Sequence, residues 1–377
     1  MGDGNDLAAL RAIAAEFCGA AGPGDIRPFH AGHIHGSYIV DTSDDSGGKL
    51  RILLQRINEF VFPNVRALTR NIRRVSEHVR ARLRAEGVAD WPRRCLTLVP
   101  ARSGESVHRD AAGATWRAFE FIENTTSRQA VETPADAETA AFAFGGFARL
   151  LADFRPPRLE ETIPGFHDTP RRLARFEDAV YRDATGRAAS VTEEIALVRE
   201  HAEIASLLLD PMARGEIPER VVHNDAKLSN VLLDASTGEA LCVVDLDTVM
   251  PGAALFDFGD MVRSMTCRAA EDAADCRDVR VDPAMFEALV RGYARGTGDL
   301  LTPAERGLLV ESGLVITYEQ GVRFLTDDLD GDRYYRAARP RQNLDRARVQ
   351  FTLLRSLLEE RSELAALADR ELSRAFS

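Results

Sequence analysis

The sequence predicts an α+β protein of two lobes, a small β-rich first lobe and a larger helical second lobe. Three observations support this fold class. The chain has 377 residues, more than a single hydrophobic core usually serves. Strand-like runs dominate as far as residue 122, and helix-like patterns dominate from residue 123 to residue 377. Within the helical part, two apolar strand-like runs at 221–222 and 231–233 flank a dense group of polar residues.

The first lobe, residues 1–122, is expected to hold a sheet together with one short helix and one long helix. The long helix follows an Ile- and Leu-rich strand and begins near Pro63, a residue that is favourable at a helix start. Turn clusters of Gly, Ser and Asp separate the strand-like runs. In chain order, the predicted elements are a helix at 7–18, two strands between 26 and 42, a strand at 50–57, a helix at 63–86, and strands at 96–100 and 115–122.

The second lobe, residues 123–377, is predicted to be mostly helical. An Ala- and Phe-rich helix at 136–154 is apolar nearly all round, which is typical of a buried core helix. Helical patterns also cover 176–182 and 191–209, and they resume from Pro283 to the end of the chain. Strands are expected between 221 and 247, so the polar cluster lies on a hairpin surrounded by helices.

The composition excludes several classes of protein. Hydrophobic residues make up 45% of the chain and charged residues 28%, as in ordinary globular proteins. The net charge of −11 argues against general nucleic-acid binding, which usually needs a basic excess. We see no secretory signal and no apolar run long enough to span a bilayer, so we expect a cytoplasmic protein without a membrane partner. Five cysteines without metal-ligand spacing predict reduced thiols.

The polar cluster reads His-Asn-Asp-Ala-Lys-Leu-Ser-Asn at residues 223–230. Phosphoryl transfer from a nucleotide uses a carboxylate beside the acceptor hydroxyl, together with an Asn and an Asp that hold Mg²⁺. Asp225 and Asn230 have the spacing of such a catalytic loop, and Asp245 ends an apolar strand further along the chain. We therefore predict that Asp225 is the catalytic base and that Asn230 and Asp245 bind Mg²⁺.

Residues close to this motif have predicted supporting roles. Lys227 could reach the γ-phosphate, although a solvated surface lysine has the same pattern. Asp247 is a candidate second metal ligand or a carboxylate that supports the first one. His223 is expected to brace the loop, and the segment 257–260 with Arg263 is expected to form a structural ion-pair cluster.

The first lobe must supply backbone amides and a polar or cationic group for the nucleotide phosphates. The loop at residues 30–37 is the candidate phosphate loop, because its glycines give the backbone freedom. The next strand has no lysine, so either Gln55 or Arg56 would meet the phosphates, and the strand register decides between them. The candidate residues of the loop itself are Gly32, His33, Gly36 and Ser37.

With these motifs in place, the chain resembles the aminoglycoside phosphotransferase and choline kinase-like superfamily. Within it, the chain is most similar to the bacterial N-acetylhexosamine 1-kinases. The resemblance implies a bilobal protein-kinase-like fold, and Leu-Asp in place of Phe-Gly after Asp245 is typical of its small-molecule branch. The segments that carry the resemblance are 54–62, 119–126, 162–170, 223–230, 244–252, 257–260 and 321–332.

The resemblance also implies cofactors and further site residues. ATP and Mg²⁺ are the expected cofactors, and a hinge at residues 119–122 would pair with adenine through Glu120 and Ile122. A sugar is the expected small-molecule partner, and the second lobe would supply its hydrogen-bond partners. Those candidate residues are His167, Asp168, Tyr318, Arg323 and Asp327, although the last three also fit a helix face with internal ion pairs.

Three functions remain to be separated. The first is an ATP- and Mg²⁺-dependent kinase acting on the anomeric hydroxyl of an N-acetylhexosamine. The second is a kinase for another hydroxyl acceptor, such as an aminoglycoside or an amino alcohol, for which the acidic residues 327–332 could form a cationic-ligand pocket. The third is a nucleotide-binding regulator without catalysis, which would be expected to lack the base or a metal ligand. The sequence leaves the oligomeric state open.

Overall fold

The first lobe is an antiparallel sheet covered by two helices. The structure is a computed structural model and describes residues 3–20, 22–30, 34–43, 47–155 and 157–376. The strands follow the order β1-β2-β3-β6-β4, and β5 also pairs with β6. The elements are α1 (Asp3–Ala15), β1 (Ile26–Pro28), β2 (Gly36–Ser43), β3 (Lys49–Arg56), α2 (Val65–Ala85), β4 (Leu98–Val99), β5 (His108–Arg109) and β6 (Thr115–Glu120).

Strand alternation gives this sheet two different faces. Ile52, Leu54 and Ala118 point to one face and form a small core with α1. The alternate residues point to the other face, where Gln55 lies opposite both Ser37 of β2 and Arg117 of β6. This second face forms one wall of the cleft between the lobes, so a polar group on it is placed next to the second lobe.

The second lobe is helical and carries two small sheets. Strands β7, β9 and β10 form one sheet, and β8 pairs with β11. The elements are β7 (Thr125–Thr126), α3 (Pro134–Leu150), α4 (Thr169–Arg182), α5 (Thr192–Glu200), α6 (Leu209–Ala213), β8 (Arg220–Val222), β9 (Val231–Asp234), β10 (Ala240–Val243), β11 (Met250–Gly252), α7 (Ala254–Met265), α8 (Pro283–Thr297), α9 (Pro303–Arg306), α10 (Leu309–Leu329), α11 (Gln342–Glu359) and α12 (Arg361–Ala375).

Helices α3 and α8 approach each other closely because glycines lie at their contact. A Cβ on Gly292 would lie 2.2 Å from the carbonyl oxygen of Glu138, and a Cβ on Gly296 would lie 2.4 Å from that of Phe142. Helix α10 packs against α11, α7 and α4, and it therefore occupies the centre of the lobe. Among the described helices, none is long and apolar enough to cross a membrane.

The sequence-based elements agree with the structure except in a few places. The helix expected at 191–209 is broken into α5, a 3-10 turn at Ala202–Ser206, and α6. Pro211 lies in the first turn of α6, where a proline is tolerated, and it would interrupt a helix that continued from the residues before it. Strands β5, β7 and β11 were not expected, because two or three residues are too few to show an alternating pattern. All five cysteines are free thiols.

Candidate functional site

The candidate catalytic loop, residues 223–230, lies between β8 and β9 and is shaped by backbone contacts. Asn224 has a left-handed conformation with φ 64°. The carboxylate of Asp257 accepts the backbone N–H groups of His223 at 2.9 Å and Asn224 at 2.6 Å. The His223 ring contacts the carbonyl oxygen of Val244 at 2.9 Å. The loop is therefore tied to both α7 and the strand that carries the metal-ligand candidate.

Asp225 lies in this loop between a cation and an amide. The Nζ of Lys227 is 2.8 Å from its Oδ2, and the Nδ2 of Asn230 donates to the same oxygen at 2.9 Å. Although burial disfavours the anion, Lys227 holds the pKa of Asp225 below its usual range. Asp225 is therefore ionised near neutral pH and can accept a proton or a hydrogen bond from a hydroxyl group.

Asp245 follows β10 and lies open to the cleft. It has a left-handed backbone with φ 61°, which turns the chain at the end of the strand. The surrounding protein and the carboxylates of Asp247 and Asp225 raise the pKa of Asp245 above its usual value. Asn230 uses its Nδ2 for Asp225, so its amide oxygen is left for another partner. Oxygen donors beside concentrated negative charge fit Mg²⁺, which binds proteins through one or two carboxylates.

Asp247 corrects one expectation about the metal site. Its Oδ1 accepts from Nη1 of Arg117 at 2.5 Å, and its Oδ2 accepts from Nη2 of Arg117 at 2.8 Å. His35 Nε2 is 2.5 Å from the same Oδ2. Both oxygens are thus occupied, and both Asp247 and Arg117 are 2% exposed. Asp247 forms a buried ion pair between the lobes rather than an open metal ligand.

The tautomer of His35 follows from its contacts. The backbone N–H of Asn58 donates to Nδ1 of His35 at 3.0 Å, so Nδ1 acts as the acceptor. The proton of a neutral ring then lies on Nε2, which donates to Asp247. Burial disfavours the Asp247 anion, yet the charge of Arg117 and the bonds to His35 and Arg117 lower its pKa well below the usual range. The Asp247 carboxyl group is therefore ionised at neutral pH.

A cavity of about 310 Å³ lies between the second face of the first sheet and the catalytic loop. Ser37 and Gln55 line it from the first lobe, and Gln55 donates to the Ser37 hydroxyl at 3.2 Å. Arg56 points to the opposite side of the strand and does not line this cavity. Gln55, supported by Arg117 at 3.0 Å, is therefore the residue of this strand that faces the cavity.

The hinge segment also borders this cavity. Glu120 ends β6, and Ile122 follows it at the cavity wall. Within the described parts of the chain, the backbone N–H of Ile122 has no acceptor, so it is free to pair with a base. Gly36 lies at the start of β2 with room for a Cβ, whereas Gly32 and His33 of the predicted phosphate loop lie outside the described residues.

The predicted acceptor residues differ in their surroundings. His167 is buried, and its Nδ1 is 2.9 Å from the Oε1 of Glu319. Asp168 caps α4 by accepting the Arg171 N–H at 3.1 Å. Tyr318 corrects another expectation, because it faces the core side of α10 and donates its hydroxyl to the carbonyl oxygen of Val198 at 2.8 Å.

Arg323 and Asp327 do share a second cavity, of about 320 Å³, lined by α4, α10 and the segment after α10. Asp327 accepts the backbone N–H groups of Arg333, Tyr334 and Tyr335 at 2.8 to 2.9 Å, so it orders the segment after α10. Its role is to shape this cavity, while Arg323 contributes a charge to the wall.

Comparison with known proteins agrees with this geometry. The model of a phosphotransferase enzyme family, APH, matches residues 25–305. The chain belongs to this family. An aminoglycoside phosphotransferase from Alicyclobacillus acidocaldarius superposes with a TM-score of 0.59 at 15% identity, covering 96% of each chain. A microcompartment-associated aminopropanol kinase has a TM-score of 0.52 at 16% identity, covering 99% of this chain and 98% of that one.

A third solved structure is an amicoumacin kinase in complex with AMP-PNP, Ca²⁺ and its antibiotic. It has a TM-score of 0.50 at 11% identity, and the match covers 99% of this chain and 94% of that one. Because these three matches have low sequence identity, they establish the fold alone. Together with the family model, they place the chain among phosphotransferases with a small β-rich lobe and a helical lobe.

Sequence reasoning missed two residues of this phosphotransferase cleft. Arg117 lies within an otherwise apolar strand, Thr-Trp-Arg-Ala-Phe-Glu, and a buried arginine requires an ionised partner. An arginine in an apolar strand therefore indicates a buried ion pair, but the sequence does not identify its partner. His35 stood in the predicted phosphate loop, but its bond to Asp247 joins residues 212 positions apart and only the fold creates it.

Proposed function

We propose that this chain is an ATP- and Mg²⁺-dependent kinase that phosphorylates the anomeric hydroxyl of an N-acetylhexosamine. The observation that carries the proposal is that Asn230 and Asp245 line a cavity between the lobes and that Asn230 is hydrogen-bonded to Asp225. The base and the metal-ligand candidates have unoccupied oxygen atoms there. A non-catalytic regulator would have no reason to keep this set together.

Each residue has a role in the proposed reaction. Asp225 orients the acceptor hydroxyl and takes its proton, while the hydroxyl oxygen forms a bond to the γ-phosphorus and the bond to the β-phosphate oxygen breaks. Lys227 is tied to Asp225 and is within reach of the charge that develops on the transferred phosphoryl group. Asn230 and Asp245 would hold Mg²⁺, which neutralises phosphate charge when bound.

The nucleotide would occupy the cavity between the lobes. Adenine would pair with the free N–H of Ile122, and the phosphates would extend past Gln55 toward Asp245. The amicoumacin kinase complex with AMP-PNP, a related fold, supports ATP as the donor. An anomeric hydroxyl is more acidic than an ordinary alcohol, so positioning supplies much of the rate.

Two segments support a sugar as the acceptor. The segments 162–170 and 321–332 carried the resemblance to hexosamine kinases, and they contact each other. The guanidinium of Arg323 lies over the Phe166 ring, 5.0 Å from its centroid. The Thr169 hydroxyl donates at 2.6 Å to Glu319, which lies just before the second segment. Both therefore lie at the same wall of the second lobe.

A polycationic acceptor has less support. The acidic residues that could have bound one are used internally: Asp328 pairs with Arg187 and Arg341, and Asp332 pairs with Arg187. Asp330 lies 3.3 Å from Arg182. Their charges are compensated, so this segment does not form a negative pocket for an aminoglycoside.

An ADP-release assay tests the proposal. We expect turnover with N-acetylglucosamine or N-acetylgalactosamine, and ³¹P NMR should show a phosphate coupled to the anomeric proton. Asp225→Asn should lower kcat by about a thousandfold or more with ATP affinity retained. Asp278→Asn, an exposed aspartate with no partner among the described residues, is the matched control and should keep full activity. Turnover of aminopropanol or an aminoglycoside, but of no hexosamine, would refute the proposed acceptor.

A further inference from the structure

The second cavity has walls from both lobes. Helix α4, helix α10 and the segment 333–335 form its floor and sides, and Phe60 from the first lobe reaches it. Phe60 is 78% exposed, which is unusual for a large apolar side chain and leaves its ring free to cover a bound molecule. At about 320 Å³, the cavity is within the range of small-molecule sites, which begins at about 300 Å³.

The cavity wall is strongly basic although the whole chain is acidic. Five arginines line it against two aspartates, whereas the chain has a net charge of −11. Both aspartates are engaged, Asp327 by backbone N–H groups and Asn343, and Asp330 by Arg182. The arginines are Arg172, Arg175, Arg182, Arg323 and Arg333.

Several of these guanidinium groups lack a counter-charge. The side chains of Arg175 and Arg333 form no hydrogen bond or ion pair with any described residue. Arg172 is half-buried, its Nε has no partner in the described structure, and its Nη2 donates only to the carbonyl oxygen of Phe166, at 3.1 Å. Arginines of like charge gathered around a cavity repel one another, and a bound anion removes that cost.

Electrostatics at the cavity support this picture. Burial and the nearby charge of Arg323 lower the pKa of Arg172. Arg323 itself stacks between aromatic rings, with its guanidinium 5.0 Å from Phe166 and 5.6 Å from Tyr335. Among the residues that the structure describes, the carboxylate paired with Arg323 is Glu319 at 3.8 Å, which is already bonded to His167 and Thr169. Although burial disfavours its charge, Tyr335 and Glu319 raise the pKa of Arg323, so this arginine stays charged in the cavity wall.

The cavity is connected to the catalytic cleft. The Phe60 N–H donates to Asn58 at 3.1 Å, and the Asn58 N–H donates to His35, which lines the cavity between the lobes. The loop at residues 58–60 thus borders both the basic cavity and the cavity between the lobes.

We infer that the acceptor is a hydroxylated small molecule that carries an anionic group, a carboxylate or a phosphate, bound by Arg172, Arg175 and Arg333. This inference rests on the proposed kinase function and narrows its acceptor. The anion occupies the basic cavity while a hydroxyl of the same molecule faces Asp225. Phe60, Tyr334 and Tyr335 supply the apolar surface that a sugar ring stacks on.

Matched acceptor pairs test the inference through kcat/KM. N-acetylglucosamine is compared with N-acetylglucosamine 6-phosphate, and glucose with glucuronic acid, so that the two anions are separated. We expect at least one anionic member to exceed its neutral partner by tenfold or more, with an advantage that shrinks as NaCl is raised. Equal or better turnover of both neutral members would overturn the inference and leave the hexosamine kinase proposal intact. Turnover of amino alcohols alone would instead refute an N-acetylhexosamine as the acceptor of the proposed kinase.

Arginine variants provide the second measurement. Arg175→Ala and Arg333→Ala should each lower kcat/KM for the anionic acceptor about tenfold, mainly through KM, and so remove most of its advantage over the neutral acceptor. Arg355→Ala, an exposed arginine of α11 without a partner among the described residues, is the control and should change neither. If no sugar is turned over, calorimetry with the Asp225→Asn protein and AMP-PNP measures anion binding directly. Binding that is undetectable, or that both arginine variants leave unchanged, would overturn the inference.

Discussion

Replacing Arg117 by Met tests the buried ion pair that joins the two lobes. Methionine keeps most of the apolar volume of the arginine stem but removes its charge. Asp247 would then be buried with only His35 as a partner. Breaking a buried pair by removing one member costs about 3–5 kcal/mol, because the remaining charge is left without compensation.

This cost can be converted into a melting temperature. At about 2.1 cal/mol/K per residue, a cooperative unit of 377 residues has an unfolding entropy of about 0.8 kcal/mol/K. The expected decrease in Tm is therefore about 4–6 °C, measured by calorimetry at pH 7.5. Asp247→Asn alone should also destabilise the protein, whereas the double variant Arg117→Met with Asp247→Asn should recover about 2 kcal/mol.

The pH dependence follows from the lowered pKa of Asp247. In the wild-type protein, its contribution to stability is present above the unfolded-state pKa of about 3.9 and is lost only as pH falls through the lowered folded-state pKa. In Arg117→Met, burial without a cation raises the pKa of Asp247, so protonation restores stability as pH falls. The difference in Tm between the wild-type protein and Arg117→Met should therefore be smaller at pH 5 than at pH 7.5. Two results would refute the ion-pair account. One is a decrease in Tm of less than 1 °C for Arg117→Met, and the other is a double variant whose loss of stability equals the sum of the losses in the two single variants.

Three further predictions concern the loop, the metal site and the helix contact. Asp257→Ala removes the acceptor of two loop N–H groups and should cost about 3 kcal/mol in denaturant unfolding, with kcat reduced in steady-state assays. Asp245→Asn should raise the Mg²⁺ concentration needed for half-maximal rate, and excess Mg²⁺ should restore part of kcat; an unchanged Mg²⁺ profile would contradict its assignment. Gly145→Ala places a Cβ 2.8 Å from the carbonyl oxygen of Tyr293 and should destabilise the protein by about 1–3 kcal/mol. Gly146→Ala, whose Cβ would meet nothing within 4 Å, should instead be neutral or stabilising by about 0.5–1 kcal/mol in the same thermal unfolding assay.

Local patterns in the sequence predicted the elements that frame the site. The apolar runs before residue 223 and before Asp245 both form strands in the structure. The spacing of Asp225 and Asn230 also placed their side chains together, since five residues of one loop cannot separate far. These are short-range features, so a single chain segment is sufficient to specify them.

Other parts of the site depended on contacts between distant segments. The roles of Gln55 and Arg56 could not be separated until the pairing of β3 with β2 and β6 fixed which side chain faces the cleft. Tyr318 and Asp327 share a helix with Arg323 at nearly helical spacing, yet one faces the core and the other binds backbone amides. The sequence pattern is the same for a pocket wall and for a packed helix face.

The sequence by itself determined the two-lobed fold class and the candidate catalytic loop, because both arise from local periodicity and from residue spacing within one loop. Only the tertiary structure decided that Asp247 belongs to an ion pair with Arg117, 130 positions away, and that five arginines from α4, α10 and the segment after it surround one cavity. The physical reason is the same in both cases. The role of a charged side chain depends on the opposite charge nearest to it, and the packing of distant segments decides which residue carries that charge.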